Sequence, residues 1–296
     1  MTTRLSVIVP TTRPWPEIRP CLEALLPQVT ASRADIIVAD GNGDGVPDDV
    51  LREHGRVLRV HRHPGASVFE LRAMALADAT ADILAITEDH CVPAPDWCAR
   101  LVDAFDSNPN VLGVAGAVAN GSRHRLIDRA NYFITFAGAT PPIVAGSYGT
   151  PPVSNVSFRR TALPSWNVEP GHVELRVGPH LLAEGRMLLD DRVLVDHVQS
   201  HGFVGTFPAH FHNGRSSLGL LTQGQTWPER RRRLRRQLTR PYWITRSTYA
   251  ALRPKRSAMA EAVPIFPLIA MLAACYTAGA VAGLLMGPGA SPRKLA

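Results

Sequence analysis

The first 120 residues alternate short apolar runs with segments of helical periodicity, and this alternation limits the possible folds more than any other feature. The apolar runs that we interpret as buried strands are residues 5–9, 36–39, 58–60, 83–86 and 111–118. Residues 18–29 and 97–105 show helical spacing, and Ser67 with Glu70 forms a capping box at the start of another helix. The pattern predicts an α/β fold in which a mostly parallel sheet is flanked by helices.

Polar residues follow several of these runs. Pro10 to Arg13 follow the first run, Asp40 to Gly45 the second, and Thr87 to His90 the fourth. In an open α/β sheet, ligands bind at the carboxyl ends of the strands, so we expect the site there. The segment from Asp40 matches the opening of a calcium loop, but the twelfth position is Leu51 where that loop requires Glu, so we interpret it as a turn with Asp40 facing a ligand.

Glu88-Asp89-His90 is the most informative of these clusters. Residues two apart in an extended chain point the same way, so Glu88 and His90 together could hold a divalent ion through oxygen and nitrogen ligands. Such an ion would stabilise a diphosphate leaving group. The alternative is a solvated turn whose acids lie near a helix N-terminus.

The order of the motifs adds a resemblance to this interpretation. The motifs are LSVIVPTTRP at 5–14, a strand ending in Asp40, Arg72 within LRAMALADAT at 71–80, and ILAITEDHCVPAPDWCARLVDAF at 83–105. Over about residues 4 to 212 the chain resembles the family 2 glycosyltransferases, which have the GT-A fold. The resemblance implies transfer of a sugar from a nucleotide-diphosphate sugar.

The resemblance also implies roles for individual residues. Thr11, Asp40 and Arg72 would bind the nucleotide, with Asp89 near the ribose or sugar. The metal ligands would be Glu88, His90 and His197. Because the third motif position is His rather than an acid, the resemblance implies Mn²⁺ more than Mg²⁺ as the divalent metal.

Two further positions come from the resemblance. Asn155, in SNVSFRRTAL at 154–163, would lie beneath the donor sugar, although this segment could also be a strand whose Arg159 and Arg160 face solvent. Glu174, eleven residues before Gly185, would be the carboxylate base that activates an acceptor hydroxyl in inverting transfer. A helix N-terminal acid is the alternative, and the reserve candidates are Glu169, Asp190 and Asp191.

The C-terminal third contains an uncharged segment of 22 residues, Ile265–Met286. A helix of that length spans roughly 33 Å, close to the ~30 Å hydrocarbon core of a bilayer. We expect one transmembrane helix, a buried core helix being the alternative. Gly279, Gly283 and Gly287 have the G-x-x-x-G spacing of close helix contacts, but oligomeric state stays open. The predicted domains are a catalytic domain (1–215), a basic juxtamembrane region (216–263), the transmembrane helix (264–287) and a short tail (288–296).

Positive charge is concentrated just before this segment. Residues 229–256 contain eleven basic residues and one acid, a net +10, whereas the other 268 residues contain 21 basic and 24 acidic groups, a net −3. A nucleic-acid-binding fold with a basic face is therefore not expected. We expect the arginines to contact anionic membrane lipids and, by the positive-inside rule, the catalytic domain to face the cytoplasm. A solvated charged helix and RNA binding are the alternatives.

These observations predict a membrane-associated inverting glycosyltransferase whose hydroxyl acceptor is lipid-linked or presented at the membrane. The four cysteines form no C-x-x-C pair, which fits a reducing compartment. Two alternatives stay open. One is a nucleotidyltransferase, and the other is a nucleotide-sugar-binding protein without catalysis, because the residue before Glu174 is Val173 where family members have a second acid.

Overall fold

The computed structural model describes residues 3–43, 46–144, 146, 150–163, 169–198 and 201–295. Residues 44 and 45, which end the predicted turn after the second strand, lie outside this part of the chain. The chain divides into two compact units. The first unit comprises Met1–Ala119, Gly149–Val198 and Ala296, and the second comprises Asn120–Tyr148 and Gln199–Leu295.

The described residues form one eight-stranded sheet with the order β3-β2-β1-β4-β7-β6-β8-β5. The strands are β1 (Leu5–Thr11), β2 (Ala34–Asp40), β3 (Leu58–Arg62), β4 (Ile83–Thr87), β5 (Cys91–Pro93), β6 (Gly113–Asn120), β7 (Asn155–Arg159) and β8 (Met187–His197). The half that contains β1 to β4 is parallel. β7 pairs antiparallel with β4 and β6, and β5 pairs antiparallel with β8. The sheet is therefore mixed, with its parallel part built by the N-terminal strands.

Helices accompany the strands in the first unit and make up most of the second. They are α1 (Arg19–Ala31), α2 (Asp48–His54), α3 (Val68–Asp78), α4 (Trp97–Ser107), α5 (Leu126–Phe136), α6 (Gly178–Ala183), α7 (Gly202–Leu221), α8 (Trp227–Gln237), α9 (Arg240–Leu252), α10 (Arg256–Ala262) and α11 (Phe266–Met286). The capping box predicted at Ser67 is confirmed, because the backbone N–H of Ser67 donates to Glu70 Oε2 over 2.7 Å and that of Glu70 donates to Ser67 Oγ over 3.4 Å. This cap fixes where α3 begins.

The predicted α/β fold is confirmed. Every residue of β1 and β4 is buried, as continuous apolar runs predict for the centre of a sheet. The strands β1 to β4 run one or two residues beyond the predicted runs at one or both ends, since polar residues such as Thr11, Asp40 and Thr87 still pair within the sheet. β6 begins and ends two residues after the predicted run. Sequence patterns did not predict α2 or β5. β5 has only three residues, too few for a periodicity to be visible.

The second unit is helical. α11 belongs to the stretch Arg256–Met286, the one part of the described chain that is long and apolar enough to cross a membrane. Length and composition alone do not separate such a helix from the core helix of a domain. Leu218 of α7 packs with Ala280 and Leu284 of α11 in a buried apolar cluster. α7 and α11 therefore share an apolar contact within this unit.

Candidate active site

The residues Glu88, Asp89 and His90 lie between β4 and β5, at the carboxyl end of β4. Pairing of β5 with β8 places Cys91 opposite His197, the last residue of β8. The backbone N–H of Val198 also donates to the carbonyl oxygen of His90 over 3.0 Å. An antiparallel strand pair thus brings His197 beside His90 although 107 positions separate them in the chain.

Glu88, His90 and His197 form a cluster with the composition of a metal site. One ligand atom of each lies within 4.8 Å of the others. His90 Nε2 is 2.9 Å from His197 Nε2, and Glu88 Oε2 is 3.4 Å from His197 Nε2 and 3.7 Å from His90 Nε2. Two imidazole nitrogens and a carboxylate suit Mn²⁺ and other first-row divalent ions. The three residues predicted as metal ligands are thus brought together.

Asp89 contacts one of the cluster residues, His90, and also Thr11. Its Oδ1 is 2.7 Å from His90 Nδ1, and its Oδ2 accepts a hydrogen bond of 2.7 Å from Thr11 Oγ1. We therefore assign the His90 ring proton to Nδ1, which leaves the Nε2 lone pair directed at the cluster. A carboxylate behind a histidine is the usual support of a metal-binding imidazole, so the residues present fit a divalent ion.

The charges of the cluster follow from burial and from its partners. Burial acts to raise the pKa of Glu88, but the hydrogen bond with His197 and the charges of His90, His197 and Arg72 outweigh it and lower the pKa to about 2. Burial, together with the charge of His90, lowers the pKa of His197 to about 4. At neutral pH the two groups are therefore an ionised carboxylate and a neutral imidazole, the forms that bind metals.

The pKa of Asp89 is also below its ordinary value. Burial acts to raise it, but the hydrogen bond and charge of His90 and the charge of Arg13 prevail. Arg13 Nε lies 3.7 Å from Asp89 Oδ1. Asp89 is thus an anion that contacts Thr11, Arg13 and His90. Its expected place near the ribose or sugar stays a prediction.

Arg72 links the metal cluster to Glu174. Its guanidinium forms an ion pair with Glu174 Oε1, and its Nη2 lies 3.6 Å from Glu88 Oε1. Arg72 is buried, and its Nε has no hydrogen-bond partner. The expected nucleotide contact and the expected base therefore touch each other, with a carboxylate of the metal cluster on the other side of the guanidinium.

Glu174 lies in a π-helical turn, Val173–Val177, that leads into α6. The backbone N–H of Gly178 donates to the carbonyl oxygen of Val173, a bond between residues five apart. Wide turns of this kind occur often at functional sites. Glu174 therefore lies in the first turn of a helical segment whose opening turn is π-helical.

The side chain of Asn155 is held by hydrogen bonds to neighbouring parts of the fold. Its side chain is fully buried, and its Nδ2 donates to the carbonyl oxygens of Ala117 and Val193 over 2.7 and 2.8 Å. Its Oδ1 accepts from Trp97 Nε1 over 2.9 Å. The amide is thus bound to framework groups through three hydrogen bonds, and its expected contact beneath the donor sugar stays a prediction.

Arg159 also differs from both expectations for its segment. Its guanidinium donates to the carbonyl oxygens of Val111 and Phe105 and lies 5.1 Å from the centroid of the Phe105 ring. It therefore binds the C-terminal end of α4 instead of facing solvent or a substrate.

Among the reserve acids, Asp190 is held by Arg192 over 2.7 Å, so it serves a local ion pair.

Asp40 and Thr11 end neighbouring strands, and the register pairs them directly. Asp40 is fully buried, and its Oδ1 accepts from the backbone N–H groups of Asn42 and Gly43 over 2.8 and 2.9 Å. This carboxylate shapes the turn after β2. Whether Asp40 and Thr11 contact a nucleotide stays a prediction.

Arg13 is a residue that sequence reasoning did not assign. It is largely buried and lies between Asp89 and Glu17, at 3.7 and 3.4 Å. The sequence signal was its position four residues after the apolar run 5–9, where polar residues reach the sheet edge. Arg13 adds a second buried cation beside Arg72 to the acidic end of β4.

Comparisons with known proteins agree with this site. A glucosyl-dolichyl phosphate glucuronosyltransferase from Haloferax volcanii is 32% identical over 101 residues, which are 33% of this chain. The match spans about a third, 32%, of that curated relative's length.

Two solved structures are also similar to this chain. A mannosyltransferase from Pyrobaculum calidifontis, in complex with GDP-Man and Mn²⁺, matches with a TM-score of 0.57 and 21% identity over 97% of this chain and 88% of its own. The glucosyl-3-phosphoglycerate synthase of Mycobacterium tuberculosis matches with a TM-score of 0.42 and 16% identity over 67% of this chain and 73% of its own. The first of these shows that the chain shares the GT-A fold of such transferases.

A family model describes the part of the chain that contains most of the site. It matches residues 6–162, more than half of the chain, and includes β1, the acidic end of β4 and Arg72. The motif order found in the sequence is therefore that of a known family, and this chain belongs to glycosyl transferase family 2.

Proposed function

We propose that this chain is an inverting, metal-dependent glycosyltransferase that moves a sugar from a nucleoside diphosphate to the hydroxyl of a lipid-linked acceptor. The observation that carries the proposal is the contact series from His197 and His90 through Glu88 and Arg72 to Glu174. The series supports the proposal because a single side chain, Arg72, separates the candidate cation ligands from the proposed carboxylate base. A cation and a base are both needed in a reaction in which a diphosphate departs while a hydroxyl attacks.

Glu88, His90 and His197 would hold the ion. When bound, a divalent ion supplies positive charge that stabilises the departing diphosphate. Asp89 holds the His90 ring by its Nδ1 and keeps Nε2 directed at the cluster. The Mn²⁺ bound with GDP-Man in the mannosyltransferase structure supports Mn²⁺ over Mg²⁺ here, as the imidazole ligands do.

Thr11, Asp40 and Arg72 are the proposed nucleotide-sugar contacts. Arg72 is a buried guanidinium whose Nε has no partner, so it has a donor to offer to an anion such as the diphosphate. Arg13 contributes further positive charge behind Asp89. Both arginines favour an anionic donor over a neutral one.

Glu174 is the proposed base. Its Oε1 is held by Arg72, which fixes the orientation of the carboxylate. We propose that Oε2 accepts the proton of the acceptor hydroxyl as its oxygen attacks the anomeric carbon opposite the departing diphosphate. General-base catalysis of this kind contributes about 100- to 10,000-fold to the rate.

The acceptor is the least constrained part of the proposal. The Haloferax volcanii relative is named for an acceptor that is a glycosylated dolichyl phosphate, and it supports a lipid-linked acceptor for this chain. The basic residues 229–256 support catalysis at a membrane surface, and the proposed location of the catalytic unit is the cytoplasmic side.

The proposal is tested by incubating the purified full chain with UDP-, GDP- and dTDP-sugars, Mn²⁺ and a lipid-linked acceptor mixture. Nucleoside diphosphate release should depend on Mn²⁺ and on one of the donors. Glu174→Gln should lower kcat by about 100-fold or more while the KM for the donor changes little, because the base acts after the donor has bound. Glu184→Gln, an exposed acid ten positions further along, is the matched control and should keep full activity.

Three results would redirect the proposal. Donor binding without turnover would favour a nucleotide-sugar-binding protein without catalysis. Release of pyrophosphate in place of a nucleoside diphosphate would favour a nucleotidyltransferase. Full activity of Glu174→Gln would remove Glu174 as the base while leaving the transferase assignment intact.

A further inference from the structure

We propose that the second unit binds the surface of an anionic bilayer through α8 and α9, and that α11 packs against α7 within this unit instead of crossing the bilayer. The sequence predicts a span over residues 264–287. Three contacts within the second unit, and the residues exposed on α9, point to a different arrangement.

The first contact is a glycine seam that joins α11 to α7. A Cβ atom on Gly279 would lie 1.9 Å from the carbonyl oxygen of Phe211, and one on Gly214 would lie 2.0 Å from that of Tyr276. Gly283 would approach the carbonyl oxygen of Arg215 to 2.4 Å. The glycines of the G-x-x-x-G spacing therefore allow close packing against another helix of the same chain. Arg215 of α7 also donates from its Nε to the carbonyl oxygen of Gly287, directly after α11, over 3.2 Å, so a charged side chain lies beside the end of this helix.

The second contact places a charge at the middle of α11. The guanidinium of Arg240 lies 5.3 Å from the ring centroid of Tyr276. Tyr276 is ten residues after Phe266, so it lies about 15 Å along a helix whose full length is roughly 31 Å. In a membrane-spanning arrangement this arginine would lie near the bilayer centre, where a charged side chain is strongly unfavourable.

The third contact involves α8. Leu234 packs against the cluster formed by Leu218, Ala280 and Leu284. The arginines of α8 lie within four positions of Leu234, namely Arg230, Arg231, Arg232, Arg233, Arg235 and Arg236. The C-terminal half of α11 therefore has an arginine-rich helix beside it. That half cannot lie in hydrocarbon while this packing persists.

The outer face of α9 identifies the partner. Tyr242, Arg246, Tyr249 and Arg253 follow the spacing of one helical face, and all four are exposed. Tyr242, Trp243 and Tyr249 have 60%, 57% and 46% of their surface exposed. The opposite face buries small and aliphatic side chains, namely Thr248, Ala251 and Leu252.

A helix that exposes aromatic rings between arginines suits the headgroup region of a membrane. The net charge of +10 over residues 229–256 selects an anionic surface over a neutral one. RNA would also meet the arginines, and the test below separates it from lipid.

Vesicle binding tests the partner. The full chain is sedimented with vesicles of phosphatidylcholine alone or with added phosphatidylglycerol, with and without competing RNA. We expect binding to require the anionic lipid and to weaken with salt. Arg232→Gln with Arg236→Gln should weaken binding by roughly 25-fold, because each arginine near an anionic surface contributes about fivefold. Arg52→Gln with Arg56→Gln, exposed arginines of the first unit, remove the same charge and should have no effect.

A tag-protection experiment tests the position of α11. The full chain carries one tag at each end, and sealed inverted vesicles from the expressing cells are treated with protease. If α11 remains on one side, both tags are digested alike. A control chain with an added leucine-rich span of about 20 residues before the C-terminal tag should keep that tag protected.

Protection of the C-terminal tag of the unaltered chain would show that α11 crosses the bilayer and would overturn the proposal. Equal binding to neutral and anionic vesicles, or displacement from vesicles by RNA at equal phosphate concentration, would overturn the assignment of the partner. The transferase assay stays a separate measurement, so failure here leaves the proposed chemistry untouched.

Discussion

Arg72 and Glu174 form a buried ion pair although 102 positions separate them in the chain. The same guanidinium lies 3.6 Å from Glu88 Oε1. Arg72 is thus the positive charge shared by a metal-cluster carboxylate and the proposed base. Because Glu174 and Glu88 are both largely buried, this arginine supplies positive charge beside two carboxylates that have little contact with water.

Removal of Arg72 should destabilise the first unit strongly. Arg72→Met leaves two carboxylates without their shared cation and is expected to lower the free energy of unfolding by about 3–5 kcal/mol. Adding Glu174→Gln should recover part of that loss, because one of the unpaired charges is removed. Urea unfolding of Arg72→Met, Glu174→Gln and the double variant measures the interaction free energy between the two side chains. Additive losses would show that the two side chains do not interact in solution.

The metal affinity should depend on Asp89 as well as on the ligands. Asp89→Asn keeps the shape of the side chain but weakens its hold on His90 Nδ1, and the affinity for Mn²⁺ should fall by about 10- to 100-fold. Titration followed by the electron paramagnetic resonance of free Mn²⁺ measures this without turnover. Asp191→Asn, at an exposed position within β8, is the matched control and should bind Mn²⁺ as the unaltered chain does.

Part of this site was predictable from sequence because its information is local. Glu88 and His90 directly follow an apolar run, which predicts that they lie at the carboxyl end of a strand. In the structure residues 88–91 form a turn, in which the backbone N–H of Cys91 donates to the carbonyl oxygen of Glu88 over 2.9 Å, and both side chains reach the metal cluster. Asp89 lies between them and contacts Thr11 and Arg13, and its expected contact with the ribose or sugar stays a prediction.

Other parts of the site depend on pairings that leave no local trace. His197 reaches His90 because a three-residue strand pairs with the end of β8, and no sequence pattern specifies so short a pairing. Asn155 and Arg159 looked like ligand-binding groups since polar residues near a predicted site usually are. Their partners are backbone carbonyl oxygens of distant segments, which only the fold brings within reach.

A substitution of Asn155 distinguishes a structural role of this side chain from a contact with the sugar donor. Asn155→Ala leaves the Trp97 indole N–H and the carbonyl oxygens of Ala117 and Val193 without their partner, and it should lower the free energy of unfolding by about 3 kcal/mol. Ser157 lies on the same strand as Asn155. Ser157→Ala removes a single hydrogen bond to the carbonyl oxygen of Val114 and should lower the free energy of unfolding by about 1 kcal/mol. Urea unfolding and donor KM are measured together. A raised KM with unchanged stability would restore the donor contact.

His210 should make the stability of the second unit depend on pH. Burial, with a smaller effect of the charge on His201, lowers its pKa from 6.5 to about 4. The unfolded chain therefore binds the proton more readily between these values. The stabilising contribution is complete above pH 6.5 and decreases by about 3 kcal/mol as the pH falls to 4.

His210→Gln retains a polar group for Asn131, which the histidine Nε2 contacts over 2.8 Å, but cannot titrate. Urea unfolding of both chains from pH 7 to 4 isolates the effect as the difference between them. The two curves should converge as the pH falls. Parallel curves would mean that His210 does not titrate differently in the folded and unfolded chain.

The glycine seam predicts opposite results for two adjacent residues of α11. Gly279 faces α7, where a Cβ would lie 1.9 Å from the carbonyl oxygen of Phe211, whereas Ala278 is exposed. Gly279→Val must separate the two helices and should destabilise the second unit by about 3 kcal/mol or more. Ala278→Val should change stability by less than about 0.5 kcal/mol. Both variants keep the apolar character of the segment, so a helix surrounded by lipid would tolerate them equally. Thermal unfolding of the two full-length variants in the same detergent therefore distinguishes a packed core helix from a lone span.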